Sequence, residues 1–203
     1  MDQAKEKTVS HVDNILSVYA LATQDEIEKG LRWYQDAQDI AQAIADKCQF
    51  PLRISVGVIA ALSPTNDWDK NCKDADALAH AFVTGGYKED VRCSTYNPMK
   101  DKAWSIMESM PGDDVLVAKI LNGPKISDFF WCIMGHDNCV IDGHAWCIAH
   151  ADRRSMQEVP SIGKKARAEL QDAYRVAAHA KGLTAYQMQA ITWVAWRRVH
   201  GIA

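Results

Sequence analysis

The sequence lacks the features that mark membrane and secreted proteins. Its six cysteines form no Cys-x-x-Cys pair, and no apolar run approaches the roughly 20 residues that cross a bilayer. The first ten residues are charged, so they do not resemble a secretory signal peptide. We therefore expect a cytoplasmic protein with reduced thiols and without a membrane partner.

The sequence also lacks paired segments with the alternating pattern of β-strands. The one short β-branched stretch, Arg53–Leu62 (RISVGVIAAL), has no partner, and a lone strand cannot satisfy its backbone hydrogen bonds. We interpret it as a buried helix. Apolar residues elsewhere recur at helical spacing, and the prolines fall in turns or first helical turns. The pattern predicts an all-α fold of about ten short helices, in a single domain spanning residues 1–203.

Charge is distributed unevenly along the chain. Residues 151–203 contain 9 Lys and Arg against 4 Asp and Glu, whereas the preceding residues contain 14 against 22. A basic C-terminal quarter points to a polyanionic partner, although solvated helix faces give the same count.

The stretch Lys119–Ala149 (KILNGPKISDFFWCIMGHDNCVIDGHAWCIA) contains two successive helix starts. A Gly-Pro turn puts Lys125 at the first start, and Asp142 opens the second one 17 residues later. Backbone N–H groups at helix N-termini bind phosphate and keep a carboxylate ionised. A lysine and an aspartate presented together suit chemistry at a sugar carbon that becomes cationic. The alternatives are an ordinary N-cap aspartate and a surface lysine.

Three segments together resemble the helix-hairpin-helix (HhH-GPD) superfamily of DNA glycosylases, which includes endonuclease III and 8-oxoguanine glycosylase. Leu121–Lys125 (LNGPK) is similar to the hairpin pattern L-P-G-h-G-x-K. Val140–His144 (VIDGH) is similar to the V-D-x-H segment that lies one helix downstream of it. Leu62–Asp67 (LSPTND), followed by Asn71, is similar to the L-S-x-Q-x-x-D segment that enters DNA. The three segments stand in the family order and span about half of the chain.

The chain departs from the family pattern at three places. Gly123 is the one glycine kept in the hairpin, because Leu121 occupies the place of the other. Thr65 replaces the glutamine that helps to fill the gap left by a flipped base, and Asn66 beside it could substitute. The four-cysteine iron–sulfur loop of endonuclease III relatives is absent, since no cysteine follows Cys147.

The resemblance implies two helical lobes around a cleft and an enzyme that cleaves the N-glycosidic bond of a base flipped out of DNA. Asp142 would stabilise the cationic sugar, and Lys125 would attack C1′ as an amine, forming a Schiff base that permits strand cleavage. The other residues expected to contact DNA or substrate are Asn122, Gly123, Thr65, Asn66, Trp68, Asn71, His144, Trp146, Lys164 and Lys165.

Aromatic side chains would line the pocket that receives a flipped base. We expect this role for Trp68 or Trp146. Trp131, Trp193 and Trp196 recur at helical spacing among apolar neighbours, which predicts core positions instead.

A second turn, Val159–Lys165 (VPSIGKK), also resembles the hairpin pattern. It follows the V-I-D-G-H segment, whereas the family order puts the hairpin before that segment. We interpret it as a helix start that binds phosphate with Lys164 and Lys165. Which lysine is the chemical one therefore stays open.

His144, Cys147 and His150 form an H-x-x-C-x-x-H run that suggests zinc. Residues at i, i+3 and i+6 converge poorly on one tetrahedral ion, and no fourth ligand stands out. We expect neither a metal nor another cofactor.

Two other functions stay open. An enzyme of the same fold could modify a pyrimidine in DNA without excising it, as in viral DNA hypermodification. A catalytically inert DNA-binding module is favoured by the degenerate hairpin. DNA is the expected partner in each case, and no protein partner is predicted.

Overall fold

A computed structural model describes residues 3–202 of the chain, with side chains from residue 10 onward, and contains no β-strand in that range. Its helices are α1 Gln3–Ala20, α2 Gln24–Cys48, α3 Leu52–Leu62, α4 Trp68–Val83, α5 Asn97–Glu108, α6 Asp114–Leu121, α7 Pro124–Ile133, α8 Gly143–His150, α9 Lys164–His179 and α10 Ala185–Val199. One 3₁₀ turn, Lys88–Asp90, lies between α4 and α5. The prediction of an all-α fold is confirmed, including the helix predicted for Arg53–Leu62. None of these helices combines the length and the hydropathy that a membrane crossing requires.

The chain divides into two units, which we describe separately. One unit holds the chain up to Tyr34 and from His136 onward, and the other is Gln35–Gly135. The Leu62–Asp67 segment and the Leu121–Lys125 turn belong to the second unit. Asp142 and the Val159–Lys165 turn belong to the first.

Helix α3 is the centre of the unit Gln35–Gly135. Every residue from Ile54 to Leu62 is buried, and α4, α5, α6 and α7 all pack on this helix. At Gly57 an added Cβ would lie 2.6 Å from Cγ1 of Val117, so glycine permits the close approach of α6. A helix enclosed on all sides needs no polar face, which explains why its sequence resembles a buried strand.

The core of the other unit is formed by α1, α8, α9 and α10. Ala145–Ala149 of α8 are all buried, and Leu170 and Tyr174 of α9 pack into the same cluster. The first part of α2 approaches the backbone of α10, because a Cβ at Gly30 would lie 2.6 Å from the amide nitrogen and Cα of Ile191. The start of α8 is thus attached to a tightly packed core.

Helices in the described chain begin in two ways that bear on the site. Side chains accept first-turn amide hydrogen bonds at five helix starts: Thr23, Asp67, Asp113, Asp142 and Thr184. In contrast, the N-cap residues of α7 and α9 are Gly123 and Gly163, and neither start has a side-chain cap. The first-turn amides of α7 and α9 are therefore directed out of the helix end without a local acceptor.

Candidate functional site

Asp142 caps α8 and leaves half of its carboxylate unused. Its Oδ1 accepts a hydrogen bond from the Ala145 amide at 2.8 Å, which confirms the predicted N-cap. Its other carboxylate oxygen accepts no hydrogen bond from any residue that the structure describes. Because the side chain is only half-buried, that oxygen is available to a cationic or proton-bearing group of a ligand.

The backbone on both sides of Asp142 is fixed by α9. The Ile141 carbonyl accepts a hydrogen bond from Nη1 of Arg167 at 2.9 Å, and the Ala145 carbonyl accepts one from the Tyr174 hydroxyl at 3.4 Å. Complete burial raises the pKa of Tyr174 well above its ordinary value, so the hydroxyl keeps its proton and remains a donor.

The loop that follows α8 returns to cover the start of this helix. Ala151 has a left-handed conformation with φ of 48°, which ends α8 and reverses the chain. At Gly143 an added Cβ would lie 2.6 Å from Sδ of Met156 and 3.6 Å from Cγ2 of Val159. The residue after Asp142 therefore lies under this loop, and glycine leaves room for it.

His144 belongs to an aromatic group on α8, α10 and α2. Its ring centroid lies 6.4 Å from that of Trp193, which in turn lies 6.4 Å from that of Trp33. The Arg197 guanidinium lies over the Trp193 ring, 4.4 Å from its centroid, in a cation–π contact. All four side chains are half-buried. We call His144, Trp193, Trp33 and Arg197 the aromatic group.

The predicted core positions of the three tryptophans are only partly correct. Trp196 is 7% exposed and lies in the core of its unit, so that prediction is confirmed. Trp193 and Trp131 are half-buried, so the prediction is wrong for both. The helical period identifies the apolar side of a helix, but it does not tell how far neighbouring elements cover that side.

Trp146 lies in a stack of side chains from its own unit. Its ring is stacked on His150 with centroids 4.1 Å apart, and the Arg154 guanidinium lies 4.9 Å from its centroid. Nδ1 of His150 lies 2.8 Å from the Trp146 carbonyl oxygen, and the ring of His11 lies 4.6 Å from that of His150. Trp146 is only 9% exposed, and its contact with a flipped base stays a prediction.

The turn between α6 and α7 presents Lys125 to solvent. Asn122 has a left-handed conformation with φ of 42°, which ends α6, and Gly123 is extended and begins α7. Nζ of Lys102 donates a hydrogen bond to the Leu121 carbonyl and so satisfies the end of α6. Lys125 is exposed, and its ammonium has no hydrogen bond or ion pair within the described part of the chain.

The Leu62–Asp67 segment contains a strained residue. Thr65 has φ of 55°, which a β-branched residue seldom adopts. Its hydroxyl donates to the Pro64 carbonyl at 2.7 Å, and the Thr95 hydroxyl donates to the same carbonyl oxygen at 2.7 Å. Strained backbone of this kind clusters at binding and catalytic sites, where the surroundings enforce it. Thr65 itself is exposed.

Asn66 and Asn71 attach this segment to α3 and α4. Nδ2 of Asn66 donates to the Leu62 carbonyl at 3.3 Å and to Oδ2 of Asp74 at 3.1 Å, and Nδ2 of Asn71 donates to the Ile59 carbonyl at 3.1 Å. Asn71 is 1% exposed and therefore holds α3 and α4 together from inside the unit. Trp68, next along the chain, is half-buried with its ring 6.3 Å from that of Phe129.

Lys164 and Lys165 lie at an open helix start. Both are exposed, and a Cβ at Gly163 would meet nothing within 4 Å. Nζ of Lys165 lies 3.9 Å from Glu169, whereas Lys164 has no ion pair with a described residue. This start resembles that of α7, since both have a glycine at the N-cap and a lysine in the first turn.

The three side chains of the H-x-x-C-x-x-H run lie in three different surroundings. His144 belongs to the aromatic group, Cys147 is buried in the core, and His150 stacks on Trp146. Burial raises the pKa of the Cys147 thiol above its ordinary value. Within the described residues, no group of three or more His, Cys, Asp or Glu side chains could hold a metal ion.

The sequence did not predict that Trp193, Arg197 and Thr95 contact candidate site residues. Arg197 follows Trp193 by four residues on one helix, a spacing that puts the guanidinium next to the ring, so this pair had a readable signal. Thr95 had none, because its contact with Pro64 joins residues that are 31 positions apart.

Comparison with known proteins identifies a family and gives no activity. Residues 1–200 match the family described as "Family of unknown function (DUF7178)", and the chain belongs to this family. No curated protein and no solved structure matches the chain.

Proposed function

We propose that this protein is a DNA glycosylase-like enzyme of the helix-hairpin-helix class. In this proposal it takes a base that has been flipped out of DNA and cleaves the N-glycosidic bond between the base and C1′ of the sugar. Asp142 acts as the electrostatic partner of the sugar, and Lys125 acts as the nucleophile that adds lyase chemistry.

The observation that carries the proposal is the state of the Asp142 carboxylate. One oxygen is bonded to the Ala145 amide at the start of α8, and the other is unbonded within the described chain. Partial burial of a carboxylate oxygen without a hydrogen bond costs free energy, because that oxygen loses part of its hydration. Here the unbonded oxygen lies on a half-buried residue, where it can stabilise a positive charge that develops on a ligand.

The proposed reaction separates the base from the sugar through a cationic transition state. The C1′–N bond breaks as the base leaves with the bonding electrons, and positive charge develops on C1′ and the ring oxygen. The Asp142 carboxylate stabilises that charge. A water or the Lys125 amine then forms the new bond to C1′, and the proton that it loses neutralises the departed base. With the amine, the C1′–O4′ bond next breaks, O4′ takes up a proton as the sugar ring opens, and C1′ and the nitrogen form the double bond of a Schiff base.

Three further observations support DNA as the substrate. The uncapped start of α7 presents amides and the exposed Lys125, which together suit a backbone phosphate. Thr65 is strained and exposed in the segment that resembles the DNA-entering segment of the family. The half-buried rings of the aromatic group supply stacking surfaces on the unit that carries Asp142.

The experiment that tests the proposal is analysis of the products by mass spectrometry. The protein is incubated with DNA duplexes carrying damaged and modified bases, and both free bases and digested nucleosides are measured. We expect a free base. A nucleoside of changed mass with no free base would instead indicate modification without excision, and DNA binding without any product would indicate an inert module.

A matched pair of variants assigns the reaction to Asp142. Asp113 is also an N-cap aspartate, and it accepts a hydrogen bond from the Leu116 amide at 2.8 Å, the distance found at Asp142. We expect Asp142→Asn to lower the rate by on the order of a hundredfold or more, because the amide keeps the cap but loses the charge. Asp113→Asn should leave the rate unchanged. Equal rates for both variants would mean that Asp142 is only a cap.

A further inference from the structure

The segment between α4 and α5 ends on a tyrosine that faces solvent. Tyr96, the N-cap residue of α5, is 61% exposed, and Tyr87 near the other end of the segment is 70% exposed. An exposed tyrosine ring offers a flat apolar face on which a base of a nucleic acid can stack. Of the two residues, Tyr96 is the one that the chain connects to a candidate residue, Thr65, through the hydrogen bond of the preceding Thr95 to Pro64.

Tyr96 is attached to the strained Thr65 turn through its neighbours. The hydroxyl of Thr95 and the hydroxyl of Thr65 both donate to the Pro64 carbonyl oxygen. The amide of Ser94 donates to Oδ2 of Asp74 at 2.6 Å, and the same oxygen accepts a hydrogen bond from Asn66. The two residues before Tyr96 are thus attached to Pro64 and to Asp74, which itself bonds Asn66, and Tyr96 directly follows residues held at the Leu62–Asp67 segment.

The same segment also contains a cationic side chain, Arg92. Arg92 is exposed and forms neither an ion pair nor a hydrogen bond with the residues described here. The nearby Lys88 is different, because its ammonium is paired with Asp101 at 2.6 Å. An exposed ring and an unpaired guanidinium in one short segment match the base and the phosphate of a nucleotide.

We infer that Tyr96 is a stacking surface for an unpaired base of the bound DNA, with Arg92 as its phosphate contact. The inference rests on the proposed function in taking DNA as the ligand, and it assigns a second contact that does not involve Asp142 or Lys125. A face of the ring accepts any base, so the contact selects for an unstacked nucleotide and not for a sequence. The hydrogen bond from Thr95 to the Pro64 carbonyl fixes the residue before Tyr96.

The test uses a short DNA duplex with one unpaired 2-aminopurine, whose fluorescence falls when the base stacks. Tyr96→Ala should bind this duplex about fivefold to a hundredfold more weakly than the wild type, and the quenching on binding should be lost. Tyr96→Phe should behave as the wild type, because the ring is kept. Tyr87→Ala, the matched control, removes an equally exposed tyrosine and should change neither readout.

The salt dependence gives a second readout that separates stacking from charge. Tyr96→Ala should leave the slope of log affinity against log salt unchanged, because no charge is removed. Arg92→Gln should flatten the slope by about one unit.

Three results would overturn the inference. Tyr96→Ala could bind the 2-aminopurine duplex as tightly as the wild type, or Tyr87→Ala could weaken binding equally. A third is that Tyr96→Ala changes only the oligomeric mass in solution and not DNA binding. Tyr96 would then lie in a contact between copies of the protein. If the wild type binds no DNA at all, the proposed function fails together with the inference. If it binds and releases a base while Tyr96→Ala behaves as the wild type, only the inference fails.

Discussion

The start of α7 and the start of α8 use the same property of a helix in opposite ways. At α8 the first-turn amide of Ala145 is bonded to the Asp142 side chain, and Ala145–Ala149 are buried. At α7 the N-cap is Gly123, no side chain accepts from the first turn, and Lys125 is exposed. A helix start that is already capped holds a carboxylate in place, whereas an uncapped one can accept an anion from outside.

The start of α9 belongs with that of α7 in this comparison. Gly163 gives it no side-chain cap, and Lys164 and Lys165 are exposed in its first turn. The uncapped, lysine-bearing starts of α7 and α9 therefore belong to different units, and the candidate carboxylate lies at a capped start. The comparison indicates that binding a phosphate requires first-turn amides without a side-chain cap, whereas stabilising a cation requires a carboxylate that the helix start holds in place. Under the proposed function, covalent trapping on DNA distinguishes the lysine of one start from those of the other.

The largest effect is expected for the lysine at the start of α7. Borohydride should trap the wild type covalently on its DNA substrate, because it reduces the imine formed by an amine at C1′. Lys125→Gln should abolish trapping, while Lys119→Gln, which removes an exposed lysine from the last turn of α6, should not. Trapping that survives in Lys125→Gln but disappears in Lys164→Gln or Lys165→Gln would move the chemistry to the start of α9.

A smaller effect is expected at the two N-cap glycines. At Gly123 φ is −153°, which alanine can adopt, and an added Cβ would lie 3.2 Å from Cγ1 of Ile126. Gly123→Ala should therefore fold after a small shift of the Ile126 side chain, with a modest loss of stability. DNA affinity should nevertheless fall by about tenfold, because a methyl group there would separate the turn from a phosphate. Gly163→Ala adds a methyl in open space at the start of α9. Binding and thermal unfolding of both variants would show which start meets DNA.

The smallest effect is expected at the start of α2, where both oxygens of the Glu26 carboxylate accept hydrogen bonds from the protein itself. At the start of α2, Oε2 of Glu26 accepts from the Thr23 amide at 2.8 Å, and Oε1 accepts from Nε of Arg198 at 2.6 Å. The hydrogen bond from Arg198 is the main cause that lowers the pKa of Glu26 below its ordinary value of 4.5. Glu26→Gln should destabilise the fold by about 1 kcal/mol at neutral pH, since Arg198 is half-exposed and water screens the pair.

The pH dependence of that loss follows from the direction of the shift. A lowered pKa contributes stability that is present above pH 4.5 and is lost as the pH falls through the pKa of the folded state. The difference between the wild type and Glu26→Gln in chemical denaturation should therefore shrink below pH 4.5. Asp172→Asn, which removes an exposed ion pair with Arg175, is the control and should have almost no effect at any pH. A difference that grew in acid would contradict the assignment.

Patterns along the sequence were sufficient for the fold and for the capped helix start. The helix at Arg53–Leu62 followed from the absence of a partner strand, and the cap at Asp142 followed from its place before an apolar run. The φ of 55° at Thr65 could not be predicted, because a β-branched residue ordinarily disfavours it and the Thr95 hydroxyl that bonds the preceding Pro64 carbonyl lies 31 positions away in the sequence. Such contacts between distant residues have no signature in local spacing.

The hydrogen bond between Asp142 and the Ala145 amide also has a consequence for the entropy of the site. A free aspartate samples several rotamers, and ordering it when a ligand arrives would cost free energy at that moment. With one oxygen bonded to a helix whose next residues are buried, the side chain is already confined, and the direction of its second oxygen is set during folding. The position of the carboxylate is therefore as well defined as the core beneath it. A substitution of a buried α8 residue that does not contact Asp142 should still displace its carboxylate.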